Sequence, residues 1–319
     1  MDNLLERLCK SFGVSGSEET VRELIKEELK DISCSLKEDN MGNLIVKMGE
    51  GKKKIMFSSH MDEIGIIATY IEDSGIVRVG NVGNLKAEEI VHNFVKFQNG
   101  TIGKIAAAKD NPCMADLYID LGLESREEVL KKIKEGDTAA FRSPYLNIGN
   151  NIVSPNLNNR VGCYILLRLI KQVKIFSRET YFVFSTQQEL GGRGARAAAY
   201  AIEPNYCIVV DLEGSGDVPG ANGELKLGKG PAISIMNKTL IIHHEIKAML
   251  ENEAKKSGVK LQYAVSVEDT DGGHIHKERG GIKTGVLSIP CRYLHSTSEM
   301  VCLNDVEDAI KVLTNIIIG

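Results

Sequence analysis

The first part of the chain switches from helical to strand spacing of its apolar residues. A capping box at Ser15–Glu18 precedes apolar residues that fall near one helical face, which predicts a helix from about residue 17 to 30. A turn at 39–43 comes next, and the apolar runs Leu44–Met48 and Lys54–Ser58 predict two strands joined at a glycine-containing turn. The chain therefore begins with a helix followed by a group of strands.

From about residue 68 to 148 the pattern changes to short alternating stretches. Gly75–Val79 and Asn93–Phe97 alternate like half-buried strands and are separated by glycine turns, and one helix is predicted around Ser125 to Lys134. Short strands punctuated by glycine are typical of small all-β units. The pattern therefore predicts a small β-rich insert with one helix.

Beyond residue 150, helical patterns alternate with continuously apolar strands. Strands read as unbroken apolar runs when helices cover both faces of their sheet. We therefore predict an α/β main domain built from residues 1–67 and 149–319 and interrupted by the insert at 68–148. The elements behind this prediction are the helix Val161–Val173, the strands Tyr181–Thr186 and Tyr206–Asp211, the helix Glu245–Lys256 and the strand Gly285–Ile289.

Composition and charge narrow the class of protein. With 319 residues, 43% of them hydrophobic and 26% charged, the chain is typical of a globular protein with a large core. A net charge of -4 gives no electrostatic reason to expect nucleic acid or a membrane as a partner. Seven cysteines without a C-x-x-C pair suit a reducing compartment, and Met1–Arg7 predicts a helix start rather than a signal peptide. Since no apolar run is long enough to span a membrane, we expect a cytoplasmic protein.

The first candidate for chemistry is His60-Met61-Asp62, which closely follows the apolar run Ile55–Phe57. In a strand, residues two apart point to the same side, so His60 and Asp62 can share one pocket. A neutral imidazole is a good metal ligand when a carboxylate holds its other ring nitrogen. Taken alone, the pair is explained equally well by a histidine at a strand end that is followed by a turn.

Four further segments carry polar residues just after predicted strands or at the mouth of a helix, where an open α/β sheet collects its ligands. Each has a structural alternative: Asp211 can cap a helix, His295 can lie in a surface loop, and Glu189 can sit in a solvated first turn. Together with His60 and Asp62, five such placements favour a site. The four segments are Asn156–Arg160, Thr186–Gly191, Val209–Asp211 and Cys291–His295.

A series of short motifs then gives the chain a specific likeness. They are Gly13–Gly16, His60–Gly65, Asp116–Gly122, Asn159–Gly162, Glu189–Gly191 with Arg193–Ala195, Asp217–Gly220, Thr270-Asp271 and Ile289–His295. In these motifs, from Leu4 to the C-terminal helix, the chain resembles the TET-type metallo-aminopeptidases, a family of glutamyl and deblocking aminopeptidases. The resemblance implies a mixed-sheet peptidase domain with helices on both faces and an inserted β-barrel-like dimerisation domain. It also implies dimers that assemble into a tetrahedral homododecamer.

The resemblance further implies a ligand set for two divalent ions, zinc, cobalt or manganese, in each subunit. In the family one ion is held by the residues matching His60 and Asp211, the other by those matching Glu189 and His295, and an aspartate bridges both. The residue matching Asp62 orients its histidine, and a glutamate serves as general base. Two ions about 3.5–4 Å apart activate a water and polarise the scissile carbonyl while a carboxylate takes the proton. The implied substrates are short peptides, which lose their N-terminal residues.

The chain departs from this pattern at two central positions. Asn158 stands where the family has the bridging aspartate, and Gln188 stands where it has the general-base glutamate. An amide offers one neutral oxygen and an NH2 group that does not ligate, so Asn158 bridges two cations poorly. Gln188 accepts no proton at neutral pH, and losing a positioned general base typically costs about 10²–10⁴-fold in rate. We therefore expect an attenuated aminopeptidase that keeps up to two ions, or only one or none.

Other functions compete with this interpretation. A catalytically silent paralogue would bind peptide or co-assemble with an active subunit. A glycosidase would need a groove lined with aromatic residues, which a chain with 5% aromatics and no tryptophan supplies poorly. Among the remaining polar residues, His243-His244 is interpreted as a helix start and His274–His276 as a candidate for a role beside the site. Arg292 either positions His295 or has a purely structural role.

Overall fold

The structure, a computed structural model, describes residues 4–221 and 223–319. Residues 1–3 of the predicted N-terminal helix start lie outside the described residues, and the helix is described from Leu4 onwards. The described α-helices are α1 (Leu4–Lys10), α2 (Glu19–Leu29), α3 (Ala87–Ile90), α4 (Arg126–Leu130), α5 (Leu157–Gln172), α6 (Arg193–Ile202), α7 (His244–Ser257), α8 (Asp271–Ile275) and α9 (Leu303–Ile318), with a short 3-10 helix at Met114–Asp116.

The described strands fall into two groups along the chain. Those of the first half are β1 (Ser35–Glu38), β2 (Leu44–Met48), β3 (Lys54–His60), β4 (Gly65–Ile71), β5 (Val77–Val82), β6 (Phe94–Phe97), β7 (Ile102–Ala107), β8 (Leu117–Asp120), β9 (Thr138–Phe141) and β10 (Leu146–Ile148). Those of the second half are β11 (Asn151–Ser154), β12 (Glu179–Ser185), β13 (Tyr206–Gly214), β14 (Ala232–Met236), β15 (Gln262–Val265), β16 (Lys283–Arg292) and β17 (Glu299–Cys302).

Eleven of the described strands form one mixed sheet. Its order is β1-β2-β12-β3-β13-β16-β17-β11-β10, with β14 paired to β16 and β15 paired to β14. In the centre, β3 runs parallel to both β12 and β13, and β13 runs parallel to β16. The carboxyl ends of these four strands therefore lie at one edge of the sheet. The predicted α/β fold with a mixed sheet is confirmed.

Helices cover both faces of the central strands, as their unbroken apolar runs predict. On one face, α1, α5 and α9 pack over a core that includes Phe57 and Phe182, whose rings stack with centroids 5.6 Å apart. On the other face, α6 and α8 pack over Met56, Val183 and Val209. Because side chains alternate between these faces along each strand, the residues at the strand ends alternate in the same way.

The strand register positions the candidate residues. His60 ends β3 and pairs with Ser185 at the end of β12. Ser58 pairs with Val209 on β13, so Asp211 lies level with His60 two residues further along. Both side chains are therefore on the face covered by α6 and α8.

A second group of strands forms a separate small unit. Six of the described strands close into a barrel in the order β4-β5-β8-β7-β6-β9, and the barrel has its own apolar core. The expected inserted barrel is therefore confirmed. Its strands run from Gly65 to Phe141, while β10 already pairs with β11 in the large sheet. Two expectations stay proposals. One is the division into a main domain of residues 1–67 and 149–319 with an insert at 68–148, and the other is a role of the barrel in dimerisation.

The helix expected around Ser125 to Lys134 is shorter than predicted. It covers only Arg126–Leu130, beginning after Ser125, whose hydroxyl accepts a hydrogen bond from the backbone N–H of Glu128. Only Val129 of this helix is buried, so there is little apolar packing to extend it. Among the described residues, no helix combines the length and the apolar character needed to cross a membrane.

Candidate active site

Polar side chains from several segments converge at the carboxyl end of the sheet. A cavity of about 350 Å³ is lined there by Asn158, Gln188, Glu189, Asp211 and His295, among others. His60 adjoins this group, because its Nε2 atom lies 3.7 Å from Oδ1 of Asp211. The structure thus brings together residues from five separate stretches of the chain.

Asp62 connects His60 to the loop that follows β12. Its Oδ1 atom lies 3.4 Å from Nδ1 of His60, and the backbone N–H groups of Gln188 and Glu189 donate to its carboxylate at 3.0 Å each. The Ser15 hydroxyl also donates to it. Burial alone would raise the pKa of Asp62, but His60 and these donors lower it. Asp62 is therefore a charged anchor for both His60 and the 188–189 segment.

The ring of His60 has a defined orientation. Its Nδ1 lies 3.1 Å from the backbone carbonyl oxygen of Asp62, and because a carbonyl only accepts, Nδ1 is the protonated nitrogen. Burial lowers the pKa of His60, but Asp211 and Asp62 outweigh this effect and raise the pKa well above its ordinary value. The pocket therefore stabilises positive charge. Nε2, although buried, has no hydrogen-bond partner.

Asn158 lies in an irregular segment at the start of α5. Asn158 (φ -81°, ψ 104°) and Asn159 (φ -124°, ψ 45°) leave the helical region, and the peptide bond between them is cis. Asn159 holds the bend, because its Nδ2 donates to the carbonyl of Val210 at 2.7 Å and its Oδ1 accepts from the N–H of Gly162 at 3.0 Å. A side chain at Gly162 would meet Asn159, since a Cβ there would lie 2.4 Å from Oδ1.

The Asn158 side chain contacts the second pair of candidate ligands. Its Nδ2 lies 3.2 Å from Nε2 of His295 and 3.5 Å from Oε1 of Glu189, whereas its Oδ1 is buried without a partner. His295 and Glu189 themselves are 3.9 Å apart between Nε2 and Oε1. Burial raises the pKa of Glu189, and the nearby His295 and His60 rings oppose this effect.

The donor atoms are of the types that borderline divalent ions accept, and their spacing is close to that of metal ligands. Two atoms bound to one tetrahedral ion at about 2.0–2.1 Å lie roughly 3.4 Å apart. The His60–Asp211 and His295–Glu189 pairs are 3.7 and 3.9 Å apart. Two buried polar atoms without hydrogen-bond partners, Nε2 of His60 and Oδ1 of Asn158, are the strongest indication that a cation fits here.

Comparison with known proteins decides the family. The family described as M42 glutamyl aminopeptidase matches residues 42–312 of this chain. The chain belongs to the M42 peptidase family. The resemblance to TET-type aminopeptidases is thereby confirmed, and membership of this metallopeptidase family implies divalent metal ions.

Individual M42 relatives agree over nearly the whole chain. A relative from Acetivibrio thermocellus, named as an aminopeptidase without a stated substrate, is 40% identical over 325 residues, which cover 99% of this chain and 98% of the relative. The structure is similar, with a TM-score of 0.94 and 32% identity, to an aminopeptidase from Desulfurococcus kamchatkensis, covering 99% and 93% of the two chains. It is also similar to the TET1 peptidase of Pyrococcus horikoshii, with a TM-score of 0.90, 32% identity, and coverage of 98% of this chain and 97% of that one. The TET1 peptidase can assemble into a tetrahedron or a large octahedral shell.

Gln188, where the resemblance expects the general base, donates two hydrogen bonds that help to hold it in place. Its backbone N–H donates to Asp62, and its Nε2 donates to the carbonyl of Asp269 at 3.3 Å. The side chain thus acts as a hydrogen-bond donor to the loop that precedes α8. An amide in this position accepts hydrogen bonds but takes up no proton at neutral pH.

Glu299 is part of the site, although the sequence reasoning did not identify it. Its carboxylate accepts the backbone N–H groups of Asn158 and His295, both at 2.8 Å, and burial raises its pKa to about 8. His295 has a φ of 62°, a left-handed conformation that is uncommon outside glycine and that this hydrogen bond helps to hold. The sequence signal that could have identified Glu299 is its position four residues after the candidate ligand His295.

Arg160 and Glu63 form a second buried contact that the sequence reasoning missed. Arg160 Nη2 lies 2.9 Å from Oε1 of Glu63, and the two side chains are 0% and 4% exposed. Glu63 also accepts the N–H of Gly13 at 2.9 Å and Nδ2 of Asn156 at 2.8 Å. The pair connects the His60–Gly65 motif to the Asn158 segment and to the Gly13–Gly16 motif.

Asp271 lies beneath the strand ends on the α8 side. Its Oδ2 accepts the hydroxyl of Ser185 at 2.6 Å and that of Ser58 at 3.4 Å, while its Oδ1 has no partner. Burial raises its pKa to about 7, an effect that His60 opposes and Asp211 increases. Asp271 supports the strands that carry the candidate ligands and does not line the cavity.

The remaining candidates lie at the edge of the site or away from it. Arg292 pairs with Asp217 through Nη2 at 2.6 Å, so it holds the strand end before His295. His274 contacts Asp269 at 2.9 Å. The rings of His243 and His244 stack at the start of α7, as the helix-start interpretation expects. These rings and Glu245 have potential ligand atoms within 4.8 Å of one another, but Glu245 is paired with Lys283.

A second cavity, of about 650 Å³, continues from the first. The two share the residues Val267, Glu268, Leu294 and His295. Apolar side chains such as Val265 line it together with the carboxylates of Glu213 and Glu268. Burial raises the pKa of Glu213 to about 7.

Proposed function

We propose that this M42 chain is a metal-dependent aminopeptidase that removes N-terminal residues from short peptides at an attenuated rate. The single observation that carries the proposal is the convergence of His60, Asp211, Glu189 and His295 on one cavity around Asn158. Nε2 of His60 and Oδ1 of Asn158 are buried without hydrogen-bond partners, which supports a cation as the missing contact. The family supplies the reaction class.

The residues have distinct proposed roles. His60 and Asp211 would hold an ion through Nε2 and the carboxylate, and Asp62 would orient His60 from the other side of the ring. When bound, a divalent ion polarises the scissile carbonyl and lowers the pKa of the attacking water. Glu299 would position the backbone of Asn158 and His295 around the same cavity.

The attenuation is proposed from what Gln188 is unable to do. A general base must accept the proton that the attacking water loses, and an amide does not. The Gln188 side chain is moreover engaged as a donor to the carbonyl of Asp269. Loss of a positioned base typically costs about 10²–10⁴-fold, so turnover should survive at a low level.

One other function is favoured by the same observation. Neutral side chains at both Asn158 and Gln188 leave a site that retains its shape but lacks two charges, which suits a silent paralogue that binds peptide or co-assembles with an active subunit. Such a protein would bind short peptides without hydrolysing them.

An assay with matched variants tests the proposal. The purified chain, supplied with zinc, cobalt or manganese, is assayed on aminoacyl-nitroanilides beside an Asn158→Asp/Gln188→Glu double variant. We expect slow hydrolysis by the original chain and faster hydrolysis by the double variant. Equal rates would contradict the attenuation, whereas peptide binding without hydrolysis by the original chain would favour the silent paralogue.

The larger cavity is proposed to receive the side chain of the first substrate residue. It adjoins His295, it is lined by apolar groups, and it carries the carboxylates of Glu213 and Glu268. A third carboxylate placed there would be repelled, since like charges in a partly buried site cost free energy. We therefore expect leucyl- and lysyl-nitroanilides to be cleaved in preference to glutamyl-nitroanilide. A preference for the glutamyl substrate would refute this assignment.

Self-association is proposed from a relative and from the barrel surface. The similar TET1 peptidase can assemble into a tetrahedron or a large octahedral shell. On the outside of the barrel of this chain, Tyr70, Phe94, Ile102 and Leu130 are exposed, and the strands of Phe94 and Ile102 are neighbours. We propose dimers through the barrel and a dodecamer built from them, in the cytoplasm. Light scattering after gel filtration measures the mass of the assembly. We expect a large assembly for the original chain and smaller species for Phe94→Asp. A monomeric original chain would refute the proposed self-association.

A further inference from the structure

The amide of Asn158 distinguishes the two sides of the site. Its Nδ2 lies 3.5 Å from Oε1 of Glu189 and 3.2 Å from Nε2 of His295. A carboxylate oxygen only accepts hydrogen bonds, so the group that faces Glu189 is the NH2 and not the oxygen. The position between Glu189 and His295 is therefore already supplied with a partial positive charge from the protein.

The position between His60 and Asp211, by contrast, receives no such partial positive charge from the Asn158 NH2 group. Nδ1 of His60 faces the carbonyl of Asp62, so Nε2 is the ring nitrogen left to bind a cation in place of a proton, and it lies 3.7 Å from the Asp211 carboxylate. Oδ1 of Asn158, which is bonded to the same carbon as Nδ2, is buried and has no hydrogen-bond partner. His60 is 1% exposed and Asn158 is 8% exposed, so water does not freely satisfy these two atoms.

We propose that this chain binds one divalent ion per subunit, at Nε2 of His60, the carboxylate of Asp211 and Oδ1 of Asn158. The NH2 of Asn158 takes the place of a second ion between Glu189 and His295. A cation at the second position would have only those two ligands and would face the amide hydrogens, which repel it. The proposal concerns the same site as the proposed peptidase activity, but its test counts ions and needs no turnover.

The ligand chemistry restricts the ion. One imidazole, one carboxylate and one amide oxygen leave positions open on a tetrahedral or octahedral ion, and borderline metals such as zinc and cobalt accept this mixture. The net charge of the three ligands is that of one carboxylate, so the ion keeps a positive charge. Calcium, which takes six to eight oxygen ligands, is poorly served by such a set.

The test counts the ions bound by the whole 319-residue chain after chelation and dialysis. Cobalt(II) is titrated in, with calorimetry and visible absorption as readouts and native mass spectrometry for the number bound per subunit. We expect one cobalt for the original chain and two for Asn158→Asp. We expect His295→Ala to keep one cobalt and His60→Ala to lose it, with circular dichroism confirming that each variant is folded.

Should His60→Ala fail to fold, Asp211→Asn replaces it, and a loss of cobalt binding by at least about tenfold is expected because the only charged ligand is removed. Two cobalt ions or none in the original chain would overturn the proposal. So would an ion that survives His60→Ala or Asp211→Asn but is lost in His295→Ala, because it would then sit on the Glu189 side. A single ion that depends on His60 and not on His295 supports the proposal even if no peptide is cleaved.

Discussion

The buried pair Arg160–Glu63 should dominate the stability of the site region. Arg160→Met removes the guanidinium, whose Nη2 lies 2.9 Å from Glu63 and whose Nη1 donates to the carbonyl of Leu8 at 3.2 Å. Breaking a buried ion pair on one side typically costs about 3–5 kcal/mol. Glu63 keeps its hydrogen bonds from Gly13 and Asn156, so we expect the lower part of that range, about 3–4 kcal/mol.

The same variant should make stability depend on pH. Burial raises the pKa of Glu63, and the charge of Arg160 opposes this effect, so removing Arg160 raises the pKa further. A carboxyl whose folded-state pKa is raised stabilises the fold below its unfolded pKa and loses that contribution as the pH rises through the folded pKa. The deficit of Arg160→Met should therefore be smaller at pH 5 than at pH 8.

A double-mutant cycle with Glu63→Gln separates the pair from its surroundings. Denaturant unfolding at a fixed subunit concentration, followed by circular dichroism, gives the free energy of unfolding of each variant. Residues in direct contact in a buried network typically show coupling of about 0.5–3 kcal/mol, and we expect the upper part of that range here. Additive losses within about 0.5 kcal/mol, or an Arg160→Met deficit below about 1 kcal/mol, would refute the reasoning.

Two further predictions concern the support of the site. The hydrogen bond and charge of Arg292 lower the pKa of Asp217 to about 2, so its contribution to stability is present above the ordinary aspartate pKa and is lost as the pH falls towards 2. The melting temperature of Asp217→Asn should therefore lie below that of the original chain at pH 7, with a gap that narrows below about pH 4; a constant gap would contradict the ion pair. Gly162→Ala should destabilise by about 1–3 kcal/mol, because its Cβ would lie 2.2 Å from Oγ of Ser59. Gly280→Ala is the matched control, since its Cβ meets nothing within 4 Å, and equal urea midpoints for both variants would refute the close contact.

The sequence could predict those features that depend on local spacing. The apolar run before His60 and the run that leads to Asp211 both correspond to buried parallel strands, β3 and β13. Because parallel strands end at a common edge, the polar residues after them were expected to meet. The turn and helix signals were equally local, which is why α2 and α7 lie close to their predicted bounds.

Features that depend on distant pairing could not be predicted in the same way. Arg160 contacts Glu63 across 97 residues, and Glu299 contacts Asn158 across 141 residues. No periodicity within either segment selects these partners. The order in which the barrel strands close, β4-β5-β8-β7-β6-β9, likewise follows from long-range pairing.

The direction of the Asn158 amide is a further example. The sequence identifies an amide where the family resemblance expects a bridging carboxylate, and this predicts weaker binding of two ions. Which side receives the oxygen depends on the positions of Glu189 and His295, which are fixed only in the folded chain. The folded structure therefore supports the proposal of a single ion beside His60, where the sequence alone left two ions, one or none.

The central claim is that Asn158 and Gln188 limit an otherwise complete aminopeptidase site. The most direct test compares kcat/KM of four metal-loaded proteins on one nitroanilide: the original chain, Asn158→Asp, Gln188→Glu and the double variant. We predict at least a roughly 10²-fold gain for the double variant and smaller gains for each single variant, because each repairs one defect. Equal kcat/KM values for all four proteins would contradict the account.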